Sequence, residues 1–228
     1  MDAQEAMAEE ATTEDPELRR GGRKRNPEES RRRILDAAES AFSRRGFDGA
    51  RLRDIAQEAG VHHALVHHYY GDKRGLFDAV VTRGLGRLHE LEVEPRVGPG
   101  GLEEGVERAA GRLFDFLADN RELLRILEGA FRDRDSVSFA VAKDALGAQT
   151  EPLLQSIVGT IREGQRMGHV RGDIPAETLV LHGYSVLVYP FIMGAGFAKA
   201  LGLPRYGEER RDVERAQLVA LIVQALRA

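Results

Sequence analysis

Residues 52–69 read LRDIAQEAGVHHALVHHY, and this segment gives the clearest indication of the fold. It has the composition of two short helices that cross at a steep angle within a few residues. Ala56 gives the first helix a small side chain at the crossing, and Gly60 tolerates the positive φ that the turn needs. The inner positions of both helices are apolar: Ile55, Ala59, Val61 and Val66. Together these features predict a helix-turn-helix.

A supporting helix is predicted before this motif. Asn26-Pro27-Glu28-Glu29 is typical of a helix start, with Asn26 as the cap and Pro27 in the first turn. Apolar residues then follow at helical spacing from Ile34 to Phe42. Gly46 is predicted to end this helix.

The rest of the chain is also helical in pattern. The helices of the motif are predicted at about 52–59 and 63–70, and a long fourth helix opens at Asp72, a sound cap. After a VGPGG linker (97–101), further helices are predicted at about 102–119, 121–132, 150–167, 175–201 and 208–227, with Thr150-Glu151-Pro152 and Asp173-Ile174-Pro175 as two of the starts. The predicted fold class is all-α: an N-terminal three-helix helix-turn-helix module and a larger C-terminal helical domain.

Composition narrows the function classes. Hydrophobic residues make up 42% and charged residues 31% of the 228 residues, which is typical of a globular protein. The absence of cysteine excludes disulfides and thiolate chemistry and fits a reducing compartment. The acidic N-terminus lacks the apolar core of a secretory signal, so we expect a cytoplasmic protein.

One apolar segment, 179–201, approaches the roughly 20 residues that a membrane span needs. His182, Ser185 and Pro190 interrupt it, and no basic cluster lies just outside either end. The segment therefore predicts a helix buried between subunits, and no membrane association is expected.

The net charge of −4 conceals a basic stretch. Arginine and lysine crowd residues 19–53, which predicts a local anionic partner. Residues 1–26 are predicted to be a disordered basic arm. Its RRGGRKR run (19–25) has two interpretations: it enters a DNA minor groove, or it only raises the local charge.

Four of the seven histidines lie between residues 60 and 77. His63 and His67, four residues apart, share a helical face and could chelate a metal. A structural site usually needs four ligands, and Asp72 is the nearby acid, so we predict neither a metal nor another cofactor. GxSxG, HExxH and GxxxxGK motifs are missing, so no enzyme is predicted.

Residues 26–77 resemble the DNA-binding module of the TetR family of transcriptional regulators. The matching segments are RRRILDAAESAFSRRGFDGA, LRDIAQEAGV and HHYYGDKRGLF, in this order and at the family's spacing. The C-terminal part resembles the family only in its size and helical character.

The resemblance implies a homodimer that places one recognition helix per subunit in successive major grooves, about 34 Å apart. The DNA-binding positions that it implies are Arg51, Arg53, His62, His63, Ala64, Leu65, His67, His68 and Lys73. Lys73 matches a phosphate-contacting lysine, and Tyr69 and Tyr70 are expected to pack beneath the helix. The family often has threonine where this chain has Arg51 and tyrosine where it has His67, and both replacements still donate to phosphate.

The implied function is that of a transcriptional repressor that binds a palindromic operator and is released by a small, largely apolar effector. The alternative is a constitutive architectural DNA-binding protein without an effector. The implied division is a basic arm (1–26), a DNA-binding domain (27–73), and a ligand-binding and dimerisation domain (74–228).

The C-terminal domain has candidates for both a pocket and a dimer face. The candidate ligand-binding residues are Phe114, Phe131, His182, Tyr184 and Tyr189, of which the polar-tipped His182 and Tyr184 suit a mostly apolar pocket best. The last two helices are predicted to form the dimer interface. Pocket and dimer face compete for the same residues.

Overall fold

The computed structural model describes residues 26–91, 95, 101–192, 198–203 and 210–227. Predictions for residues 1–25 of the arm and for residues 97–100 of the linker lie outside this range. The described residues contain no strand, and their helices are α1 (Pro27–Gly49), α2 (Leu52–Glu58), α3 (His63–Tyr70), α4 (Lys73–Gly86), α5 (Gly101–Asp119), α6 (Arg121–Ala130), α7 (Val137–Arg166), α8 (Ala176–Ile192) and α9 (Arg211–Leu226). A 3-10 helix, Arg87–Leu91, follows α4. None of the described helices is long and apolar enough to cross a membrane.

Helix α1 begins as its sequence predicts. The Asn26 side chain accepts a hydrogen bond from the Glu28 amide at 3.1 Å. Gly46, with φ of 69°, interrupts the helical backbone, and a short turn continues to Gly49. The predicted break is confirmed, although the helical segment as a whole extends three residues beyond it.

Helices α2 and α3 form the predicted helix-turn-helix. Gly60 has φ of 61° in the turn, and the Val61 amide donates to the Ala56 carbonyl at 3.0 Å. Ala56 and Val66 are buried where the two helices meet. The turn requires glycine for its positive φ; a Cβ atom at residue 60 would meet only the tip of the Arg33 side chain, which can move aside.

Helix α4 joins this head to the body of the molecule. Asp72 caps it by accepting from the Gly75 amide at 2.8 Å. Leu76, Phe77 and Val80 are fully buried in a core that runs from α1 to α9. One core therefore includes side chains from both regions, and α4 contributes to it.

The body corrects one predicted boundary. Helix α7 does not start at Thr150-Glu151-Pro152 but at Val137, with the Ser136 hydroxyl accepting from the Phe139 amide at 3.1 Å. It continues through Pro152, although an interior proline removes one backbone hydrogen bond. The apolar face of α7 packs along α4. This long-range packing outweighs the local signal of the proline.

A second, smaller core lies between α5, α7, α8 and α9. Its buried side chains include Leu102, Val106, Ile161, Leu179 and Val223. It supports the region in which the sequence predicts a pocket.

Candidate DNA-binding surface and effector cavity

Helix α3 turns a polar face outward. His63, Ala64, His67 and His68 are exposed, and His62 is exposed just before the helix. Leu65 is half-buried at the edge of this face. The imidazoles are therefore directed to solvent, where base edges and phosphates could reach them.

The opposite side of α3 is fixed to α1. Tyr69 and Tyr70 are half-buried, as predicted. The Tyr70 hydroxyl donates to the Arg31 carbonyl at 3.2 Å, and the Arg31 guanidinium lies 4.9 Å from the centre of the Tyr69 ring. Burial raises the pKa of the Tyr70 phenol, while nearby Arg31 and Arg83 act in the opposite direction. These contacts hold the recognition helix in place.

Three of the histidines make local contacts. His62 Nδ1 accepts a hydrogen bond from the Ala64 amide at 3.3 Å, which caps α3. His67 Nδ1 lies 2.6 Å from the Gly71 carbonyl oxygen, at the other end of the helix. The His63 and His67 rings meet edge to face, with centroids 4.6 Å apart. Both ends of α3 are thus closed by imidazoles.

Arg51 and Arg53 flank the exposed face at the start of α2. Both are exposed, and neither forms an ion pair with any residue that the structure describes. Arg44 and Arg45, by contrast, pair with Glu58 at 3.2 Å and with Asp54 at 2.9 Å. The start of α2 therefore carries positive charge, from Arg51 and Arg53, that no described acidic side chain neutralises.

Lys73 lies where α4 begins, and it is half-buried. Its Nζ atom donates to the Asp48 carbonyl at 3.0 Å and lies 4.8 Å from the centre of the Phe47 ring. An ammonium group has three donors. One hydrogen bond to the protein therefore leaves donors for a phosphate.

Within the described parts of the chain, no group of three or more histidine and acidic side chains could hold a metal. His63 and His67 stand as a pair without further ligands.

The body contains an apolar cavity of about 90 Å³ that is open to solvent. Helices α5, α7, α8 and α9 line it, with side chains that include Val106, Leu154, Ile157 and Ile222. Tyr184 is the one polar side chain among the described lining residues, and burial raises the pKa of its phenol. The cavity suits a mostly apolar ligand with one polar contact.

The other predicted ligand residues lie elsewhere. Phe114 is fully buried against Phe191, with ring centroids 5.2 Å apart, and Phe131 packs against Phe139 at 5.6 Å. His182 lies in an adjoining groove between α8 and α9, which shares Leu179, Gly183, Ile222 and Leu226 with the cavity. Tyr189 is 49% exposed. Of the five candidates, the structure brings only Tyr184 to the cavity.

Most of the cavity lining could not be recognised from the sequence. Leu154 and Ile157 lie within the helix predicted at about 150–167 but are plain apolar residues, and Gly183 has no side chain. The apolar residues of α7 are a helical stripe, and such a stripe does not distinguish core from cavity.

The outer face of α8 and α9 is apolar and exposed. Leu181 is 63% exposed and Leu221 58%. The exposed positions of α9 between 213 and 225 carry no charge: Val213, Ala216, Gln217, Ala220, Leu221, Gln224 and Ala225. Such a surface is typical of a protein interface.

Comparisons with known proteins agree with this arrangement. The family model described as bacterial regulatory proteins, tetR family, matches residues 34–80. The HTH-type transcriptional repressor SCO4008 of Streptomyces coelicolor is 31% identical over 156 residues, which cover 68% of this chain and 75% of the relative. The HTH-type transcriptional repressor Rv1474c of Mycobacterium tuberculosis is 31% identical over 150 residues, covering 65% of this chain and 73% of that protein.

A solved structure extends the likeness in fold to the C-terminal body. It is the transcriptional regulator FadR of Bacillus subtilis in complex with stearoyl-CoA, with a TM-score of 0.65 and 15% identity. The match covers 86% of this chain and 98% of that one. At this identity the likeness shows the fold alone.

Proposed function

The chain belongs to the TetR family of bacterial regulatory proteins, and from that premise we propose a homodimeric repressor that leaves its palindromic operator when an apolar effector binds. The family and the relatives are transcriptional regulators, so the chain is a regulator of transcription and not an enzyme. One observation carries the proposal: the outward, imidazole-rich face of α3, flanked by Arg51 and Arg53.

The proposed DNA contacts divide into two kinds. Arg51, Arg53 and Lys73 contact phosphates, which position the protein without specifying sequence. His63, Ala64, Leu65 and the neighbouring His67 and His68 face the base edges of the major groove. The exposure of the arginines and imidazoles, together with the fixed underside of α3, supports this division.

The proposed dimer forms through the outer face of α8 and α9. A two-fold axis through this face would cover Leu181 and Leu221 with the same residues of a second copy. Two heads would then be presented to successive major grooves, as a palindromic operator requires.

The proposed effector binds the apolar cavity and contacts Tyr184. A compound that binds one spacing of the two heads better than the other shifts the dimer toward that spacing, with typical couplings of about 1–3 kcal/mol. FadR, which has a similar fold, was crystallised in complex with stearoyl-CoA, a molecule with a long apolar part. That example supports the apolar class of the effector.

Contacts between head and body give the coupling a physical route. Arg83 of α4 binds Asp36 of α1 at 2.7 Å and also pairs with buried Glu39. Arg87 binds Glu39 at 3.2 Å and donates to Asn120, between α5 and α6, at 2.8 Å. We call these five residues the α1–α4 clamp. A shift of α4 or of the α5–α6 junction would thereby reorient α1 and the recognition helix.

We retain residues 27–73 as the DNA-binding domain and 74–228 as the effector and dimerisation domain. A cytoplasmic location follows from the proposed activity, since a bacterial operator lies in the cytoplasm. The alternative is a constitutive architectural DNA-binding protein, which would bind no effector in the cavity. Thermal denaturation with a panel of hydrophobic compounds distinguishes the two proposals. A true effector raises the melting temperature by mass action and weakens operator binding.

Selection from a pool of random duplexes tests the DNA function. We expect an inverted repeat with half-sites about one helical turn apart. Lys73→Ala should weaken binding to every duplex by a similar factor, because it removes a phosphate contact, whereas His63→Ala should change the preferred base at one position per half-site. Equal losses on all duplexes for both variants would show that His63 does not face the bases.

A further inference from the structure

We infer that the structure holds neutral His62 and His67 in opposite tautomers, so that His62 offers DNA a hydrogen-bond donor and His67 offers an acceptor. His67 is then a specificity-determining residue that recognises the exocyclic amino group of adenine or cytosine. This inference rests on the proposed function, since it requires α3 to enter the major groove.

The Gly71 carbonyl fixes the tautomer of His67. A carbonyl oxygen only accepts hydrogen bonds, so His67 Nδ1, 2.6 Å away, must carry the proton. Gly71 has φ of 73°, and this backbone conformation, which favours glycine, closes the helix with its carbonyl beside the ring. In the neutral imidazole the outer nitrogen, Nε2, is then a bare acceptor.

The cap of α3 fixes the tautomer of His62 in the opposite sense. The Ala64 amide donates to His62 Nδ1 at 3.3 Å, so this nitrogen must be unprotonated. The proton of the neutral ring is therefore on Nε2, which donates. The two exposed imidazoles at the ends of α3 thus differ in hydrogen-bonding sense although they are the same residue type.

The difference assigns them different targets. A donor at His62 fits a phosphate oxygen or the acceptor atoms of guanine, adenine and thymine. An acceptor at His67 cannot bind a phosphate oxygen, which also only accepts, and in the major groove only adenine N6 and cytosine N4 donate. This departs from the expectation that His67 would donate to phosphate in place of tyrosine.

Nitrogen-15 NMR of the histidine side chains in the full-length protein tests the tautomers directly, at about pH 8, above the ordinary histidine range. We expect His67 to be protonated at Nδ1 and bare at Nε2, and His62 to be the reverse. His62→Ala and His67→Ala assign the signals, and His68→Ala is the matched control on the same face. The same tautomer at both residues would overturn the inference.

Base analogues test the recognition. The position that His67 contacts is the one whose base preference disappears in His67→Ala. At that position, replacing adenine by purine, or cytosine by 2-pyrimidinone, removes only the amino group. We expect the wild-type protein to lose about tenfold in affinity and His67→Ala to be indifferent.

The control duplex carries a 7-deazapurine in the same base pair, which removes the N7 acceptor and should leave affinity unchanged. A loss with the 7-deazapurine and none without the amino group would contradict an acceptor at His67. If no duplex is bound at all, the proposed function fails, while the NMR result still decides the tautomers.

Discussion

The exposed face of α3 and the exposed face of α8–α9 are both open to solvent, yet they have opposite chemistry. The first presents imidazoles beside Arg51 and Arg53, which form no ion pair with a described residue. The second presents Leu181, Val186, Tyr189 and Leu221, and its exposed α9 positions from 213 to 225 carry no charge. Exposure alone therefore does not identify the kind of partner that a surface binds. A polar, cationic surface complements a nucleic acid, whereas an apolar one complements a second copy of itself.

The largest effect is expected when a charge is introduced into the exposed face of α8–α9. Leu221→Glu should weaken the proposed dimer by about 100-fold or more, because a two-fold axis through this face would bury two carboxylates without partners. Sedimentation equilibrium measures the change. Val137→Glu, at a 47% exposed valine of α7, is the control and should leave the dimer intact. A Leu221→Glu protein that dimerises as tightly as the wild type would exclude this face as the interface.

A smaller effect is expected at the base of the first surface. Ala56 is 2% exposed where α2 and α3 cross, so Ala56→Leu should lower the free energy of unfolding by about 1–3 kcal/mol through overpacking. Chemical denaturation measures the loss. Gln57→Leu, at the exposed neighbouring position, should have little effect. Equal stabilities for the two variants would mean that the crossing tolerates a large side chain.

The connection between the two regions gives the next prediction. Glu39→Gln removes the charge that Arg83 and Arg87 share in the α1–α4 clamp. Because both arginines retain contact with solvent, we expect a cost of only about 1–2 kcal/mol in the free energy of unfolding. Operator affinity should fall while dimerisation is unchanged. If operator affinity is unaltered, the α1–α4 clamp does not determine the orientation of the DNA-binding head.

The smallest effect concerns pH. Burial raises the pKa of Tyr184 in the folded protein, so the unfolded chain loses this proton first as pH increases above about 10. The stabilisation is present below that pH and is lost as pH rises through the folded-state pKa. Denaturation at increasing pH should therefore show a shallower decline for Tyr184→Phe than for the wild type. Identical slopes would indicate that the phenol is as solvated in the folded protein as in the unfolded one.

The sequence predicted the head more completely than the body, for a physical reason. The head contains strong local signals: Asn26 and Asp72 cap helices, and Gly60 forms a turn. Each signal depends only on residues nearby in the sequence, so it can be recognised without knowing the fold. Pro152 gave an equally clear local signal that was wrong, because the packing of α7 on α4 overrides it.

The cavity required four helices to be placed before its lining could be identified. Of the lining residues, only Tyr184 was predicted from the sequence, because it carries a polar group on an apolar helix. Hydrogen bonds such as that between His67 and Gly71 depend on side-chain rotamers and backbone angles that no residue pattern specifies.

Hydrogen–deuterium exchange of the wild-type protein, with and without the selected duplex, tests whether α3 is the DNA-binding surface. We expect DNA to slow exchange in α3 and at the starts of α2 and α4, while α8 and α9 remain equally protected in both samples. Protection confined to the body, or an α3 that exchanges at the same rate with and without DNA, would contradict this expectation.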